Sequence, residues 1–91
     1  MTATIVCIPD RYTCRGITFL PHGQQFKGSV PAGEYDILDP QDVCYSDLGR
    51  ASRTSAYPLV NIATGEKWYV SLNVGKFLME EHLRPLGRYS E

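Results

Sequence analysis

Short apolar runs, punctuated by Gly and Pro, organise this chain, and most of them carry the two-residue period of a β-strand. Thr4-Ile-Val-Cys-Ile8 is a β-branched run with no polar face, stopped by Pro9-Asp10, and predicts a strand buried on both sides. After Gly16, Ile17-Thr-Phe-Leu20 leads into Pro21-His-Gly23, and Gln25-Phe-Lys-Gly-Ser-Val30 returns. Pro presets φ for the first corner of that turn and Gly tolerates its left-handed exit. Pro31-Ala-Gly33 is the next corner. Glu34-Tyr-Asp-Ile-Leu38 then alternates, with Tyr35 and Ile37 on one face and Glu34 and Asp36 on the other.

The strongest local signal is Tyr57-Pro-Leu-Val-Asn-Ile-Ala-Thr-Gly-Glu-Lys-Trp-Tyr-Val-Ser-Leu72, a hairpin turning near Ala63-Thr64-Gly65. A two-residue loop at Thr64-Gly65 would set Asn61 opposite Trp68. A three-residue loop with Gly65 left-handed sets Val60 opposite Trp68 and Ile62 opposite Glu66. The second register gathers Val60, Ile62, Trp68, Val70 and Leu72 on one face and sends Leu59, Asn61, Lys67, Tyr69 and Ser71 to the other. A one-residue slip flips every side chain, so the register that segregates apolar from polar is the expected one.

After Asn73-Val-Gly75 the period changes. Leu78, Met79, His82 and Leu83 fall on one helical stripe that Pro85 ends, predicting a short helical turn over 76–83 that caps one end of the sheet. Residues 39–56 have no clean period and read as a long loop of the functional or disordered kind. About five short strands, tight turns, a long irregular loop and a terminal helical turn suggest a small, strongly bent barrel. In element order this outline resembles an SH3-like barrel, which implies a binding module. Fold alone does not fix function.

Size and composition change the picture in one respect. With 91 residues the chain is one small domain, and its six Tyr, three Phe and one Trp supply area that a core this small needs. Nine Lys plus Arg against ten Asp plus Glu leave a formal charge of −1, so neither nucleic acid nor an anionic membrane is the default partner. The opening Met1–Pro9 lacks a basic start and a long apolar run, and no stretch reaches the ~20 apolar residues of a membrane helix. Three cysteines at irregular spacing fit a reducing compartment, and the cytoplasm is the expected location.

Candidate chemistry follows from what remains. Cys7, Cys14, His22, Cys44 and His82 contain no close ligand pair of the structural-zinc type, so no metal or other cofactor is expected. Cys7, inside an apolar run, reads as a core residue. No nucleophile elbow, phosphate loop or dinucleotide fingerprint is present, so no catalytic residue is assigned and a non-catalytic protein is expected.

Two binding surfaces stand out. Gly49-Arg-Ala-Ser-Arg-Thr-Ser55 offers Arg50, Ser52, Arg53, Thr54 and Ser55 as an anion cradle, with Tyr45 or Tyr57 to stack on a base. That suits a nucleotide or phosphorylated metabolite. Tyr69 and Leu59 on the outward hairpin face, with Tyr12 and Tyr89, form a candidate protein interface of aromatic anchors. The leading expectation is a protein that binds another protein through these aromatics and the long loop. It would act as an adaptor or an inhibitor of a larger machine, as accessory proteins of phages and mobile elements do. Sequestering or sensing a phosphate-bearing ligand is the alternative, and a homo-oligomer would cover an exposed strand edge.

Overall fold

A computed structural model describes residues 4–83, except the side chains at positions 47 and 81–83. The elements are β1 (Thr4–Ile8), β2 (Arg15–Phe19), β3 (Gln25–Ser29), β4 (Gly33–Ile37), β5 (Gln41–Asp47), β6 (Arg50–Asn61), β7 (Lys67–Ser71) and α1 (Leu72–Leu83). The described residues are thus mainly β, with seven strands among them rather than about five. They form one antiparallel sheet in the order β1-β4-β6-β7-β2-β3, and β5 lies against β6. The barrel expectation does not hold, because closure requires the end strands to pair and no ladder joins β1 to β3.

One face of the sheet carries the core. Val6 and Ile8, Tyr35 and Ile37, Leu59, Trp68 and Val70 interlock there with Cys14 and Val30, and Leu78 of α1 covers them. The predicted β2–β3 turn is present, with Gly23 at φ 90° and its N–H bonded to the Leu20 carbonyl at 2.8 Å. So is the alternation of β4, in which Tyr35 and Ile37 are buried while Glu34 is exposed.

Four expectations are corrected. The first concerns β1, which pairs with β4 alone and buries only Val6 and Ile8. Ile5 and Cys7 face out, so Cys7 is exposed and Cys14 is the buried cysteine. Apolar residues on the solvent side hid the alternation.

The second is the hairpin register. Leu59 pairs with Trp68 and Val60 with Lys67, one step from the expected pairing, across a four-residue loop. Leu59 is therefore fully buried, and Ile62 is half exposed. Asn61 explains the shift: its Oδ1 accepts from the N–H groups of Ala63 and Thr64, both at 2.9 Å. A buried amide satisfied inside its own turn costs little, so polarity is a poor guide at that position. Pro58, which has no N–H to give a ladder, falls just past the last β4–β6 pair, where its carbonyl accepts the Leu38 N–H at 3.0 Å and only the return bond is missing.

The third is the stretch 39–56, which is no loop. Residues 41–47 and 50–56 pair in unbroken register across a two-residue turn, Leu48-Gly49. Both turn residues have positive φ, 53° and 78°, the type I′ geometry that matches strand twist. Most of this arm is exposed on both faces, which is why it lacks an apolar period.

The fourth is the helix, which begins at Leu72, earlier than predicted. Ser71 caps it, its Oγ accepting the Val74 N–H at 3.3 Å. Gly75 lies against the Tyr57 ring with no room for a side chain. Of the expected stripe, Leu78 and Met79 meet the core, and the side chains of His82 and Leu83 are outside the described residues.

Candidate binding face around Tyr69

The sheet face opposite the core is built by registers that converge on Tyr69. In β6–β7 it pairs with Pro58, and in β7–β2 with Ile17, which in turn pairs with Lys27 of β3. These four residues therefore form one row across the sheet. Lys67 and Phe19 stand one step along the strands to one side of Tyr69, and Ser71 and Arg15 to the other. The Phe19 ring meets Tyr69 edge-on, 5.8 Å between centroids at 73°. The Lys67 ammonium lies 5.3 Å from the centre of the same ring.

Two clefts flank this tyrosine. One, of about 410 Å³, is lined by Phe19, Leu20, Pro21, Lys67 and Tyr69. The other, of about 290 Å³, runs between Arg15, Ile17, Lys27 and Tyr69 on one side and Thr54 and Ala56 on the other. The β5–β6 arm supplies that second wall by bending toward β3. The Gln25 side chain fixes the bend: its Nε2 donates to the Ser46 carbonyl and its Oε1 accepts the Ser46 N–H, both at 2.7 Å. A two-residue turn makes Ser46 and Ala51 a non-hydrogen-bonded pair, so both backbone groups of Ser46 point off the free edge of β5. Gln25 thus replaces one rung of the missing ladder. Beside it, the Lys27 ammonium sits 5.5 Å from the Tyr45 ring centre.

Charge is unevenly spread over this face. Among the described residues, Arg15, Lys27, Lys67 and Glu66 line the clefts, and Glu66 Oε1 accepts the Trp68 indole N–H at 3.0 Å. Farther along the same sheet face, β4 carries Glu34 and Asp36. No family model, no curated protein and no solved structure matches this chain.

The sequence-predicted residues are redistributed. Strand alternation splits the expected anion cradle: Arg53 and Ser55 lie on one face of the arm, Arg50, Ser52, Thr54 and Tyr45 on the other. Arg53 stands opposite Cys44 in the ladder, and the Cys44 side chain, with Asp42 nearby, holds its guanidinium above the ordinary arginine value. Ser55 Oγ donates to the same Asp42 at 3.1 Å. Tyr57 packs toward α1 and the core, so it cannot stack on a ligand held by the arm.

Leu59 is likewise core rather than interface, a consequence of the register. Tyr12 is 79% exposed on the β1–β2 connection, its hydroxyl bonded by Arg11. Tyr89 lies outside the described residues.

Candidate chemistry elsewhere stays dispersed. Among the described residues no three His, Cys, Asp or Glu side chains gather as a metal site, and no helix is long and apolar enough to cross a membrane. His22 shares a 2.8 Å hydrogen bond with Gln24 at an exposed turn. Burial raises the Cys14 thiol above its usual value, the opposite of what a nucleophile needs.

Sequence reasoning placed Lys67 on the face of Tyr69 but missed Arg15, Ile17, Phe19 and Lys27 as its neighbours. The only signal in the chain was the shared parity of Lys67 with Tyr69 and of Arg15 with Ile17 and Phe19.

Proposed function

We propose that this chain is a non-catalytic binding protein that docks another protein on the Tyr69 face, as an adaptor or as an inhibitor of a larger assembly. One observation carries this: two clefts on an open sheet face share a half-buried tyrosine that the core does not use. Tyrosine at such a position buries a large area for little side-chain entropy and has a hydroxyl to spend, which suits an interface anchor. The scattering of the arm's arginines and hydroxyls over two faces weighs against a phosphate-bearing small ligand.

Photo-crosslinking tests the role. A benzophenone amino acid at position 69 should capture a discrete partner in native lysate, while the same probe at Phe77 on α1 should not. Capture that is equal at both positions, or absent from 69 in a folded protein, refutes it.

A further inference from the structure

From the backbone groups left over at the edge of the sheet, we infer that β1 pairs with β1 of a second copy of this chain, antiparallel about a two-fold axis at Val6. The ladders define that edge. The Ile62 N–H donates to the Glu34 carbonyl at 3.0 Å, so Glu34 and Asp36 turn their backbone groups to β6. Gly33, Tyr35 and Ile37 therefore turn theirs to β1, where Ile8, Val6 and Thr4 are their partners. The N–H and C=O of Ile5 and of Cys7 are left pointing off the edge, and no described residue bonds them.

An unpaired edge is a template for another strand, and proteins blunt it with charge, Pro or a bulge. The far end of this sheet is treated in that way. β3 has Lys27 at its centre, and Gln25 at its start is tied to Ser46 of β5. β1 has no such protection. Its register with β4 is unbroken, and Thr4–Ile8 contains neither a charge nor Pro. The two residues whose backbone is unpaired also expose apolar side chains, Ile5 by 44% and Cys7 beside it.

A second copy supplies what this edge lacks. About a two-fold axis at Val6, Ile5 of each copy stands opposite Cys7 of the other, in pairs that exchange both N–H···O bonds. Every unpaired group of Ile5 and Cys7 is then satisfied, and each Ile5 side chain lies against a Cys7. An axis at Cys7 would instead set Ile5 against Pro9, which has no N–H to return. Glu34 and Asp36 lie one strand behind the edge. Across the joint they stay about 14 Å from the acids of the other copy, beyond the screening length of ~8 Å at physiological salt. β7 is three strands from β1, so the clefts around Tyr69 stay open in the dimer and the pairing does not depend on what they bind.

Analytical ultracentrifugation of the full chain tests this. A reversible monomer–dimer equilibrium is expected between about 1 μM and about 1 mM, the range of a short, small interface. Cys7→Pro removes an N–H that the β4 ladder does not use, so the fold should persist while the dimer weakens at least about tenfold. A disulfide trap checks the register without that variant. In a Cys44→Ser background, Ile5→Cys places its Cα about 5.5 Å from that of Cys7 in the other copy, within disulfide reach. Mild oxidation should then give a covalent dimer, and adding Cys7→Ser should abolish it.

A chain that stays monomeric over the whole range overturns the inference, and that is also the result expected if a strand of some other protein occupies the edge. A dimer that a folded Cys7→Pro variant leaves as tight as wild type overturns it too, as does a trap that yields no covalent dimer or yields as much without Cys7.

Discussion

Removing a single oxygen from the core should be costly in this protein. Tyr35 is wholly buried, and its hydroxyl donates to the Pro31 carbonyl at 2.8 Å while taking a hydrogen bond from the Asn61 side chain. Tyr35→Phe keeps the ring and its packing but strips a partner from two groups. Asn61 is 9% exposed, so its amide cannot readily turn to water, whereas the Pro31 carbonyl lies at a more open corner. Leaving one buried polar group unpaired costs about 1–3 kcal/mol, so a loss of about 1.5 kcal/mol is expected.

For a domain of this size that lowers Tm by about 6–12 °C and takes a sizeable part of a total near 5–14 kcal/mol. Urea unfolding should show a lower midpoint with an unchanged m-value, which separates lost stability from altered compactness. Tyr12→Phe, at an exposed tyrosine, is the control and should stay within about 0.5 kcal/mol of wild type. Asn61→Ala should cost more, since it also uncaps Ala63 and Thr64, and the Tyr35–Asn61 double-mutant cycle should show coupling of at least about 0.5 kcal/mol. A Tyr35→Phe protein as stable as wild type, or a cycle with no coupling, would refute the account of how a buried Asn sets the hairpin register.

Other consequences are simpler to check. Cys7 and Cys44 are exposed and Cys14 is buried, so a thiol reagent should titrate two cysteines quickly in the native protein and the third only on unfolding. Burial raises the folded-state values of Cys14 and Tyr35 above their ordinary 9.0 and 10.0. The unfolded chain therefore releases these protons first, and stability should be intact below about pH 9 and fall as pH rises beyond it. Flat stability between pH 8 and pH 11, by urea midpoint, would contradict this. At the arm's tip, Leu48 is 94% exposed with φ 53°. Leu48→Asn should raise stability by about 0.5–1 kcal/mol, because Asn tolerates that conformation and no packing is lost. A lower midpoint would show that the Leu48 side chain has a stabilising contact in the native protein.

How much of this was legible follows from where each side chain meets water. The β2–β3 hairpin and β4 were readable because Pro-His-Gly and Pro-Ala-Gly mark their turns and Tyr35 and Ile37 alternate with acids. β1 was readable as a strand but not as an edge, since Ile5 and Cys7 are as apolar as the buried Val6 and Ile8. The arm was invisible because exposed strands carry no alternation, and its turn uses Leu48-Gly49 in place of Asn-Gly. Tyr69 was correctly placed on the outward face only because β7 kept its parity. Its companion Leu59 was misplaced when β6 slipped by one residue.

The sequence by itself determined local matters: which of the apolar segments extend, where Gly and Pro turn them, and the balance of charge. Those depend on backbone conformation and residue type over a few neighbouring positions. Tertiary structure decided the rest. Whether Asn61 faces in or out depends on Tyr35, twenty-six positions away in the chain, and on turn N–H groups that can satisfy it. That choice set the register and the identity of the core. The gathering of Arg15, Lys27 and Lys67 around Tyr69 arises because the β2–β3 hairpin pairs with β7, which lies far along the chain. Sheet order is fixed by long-range pairing, and no local period in the sequence encodes it.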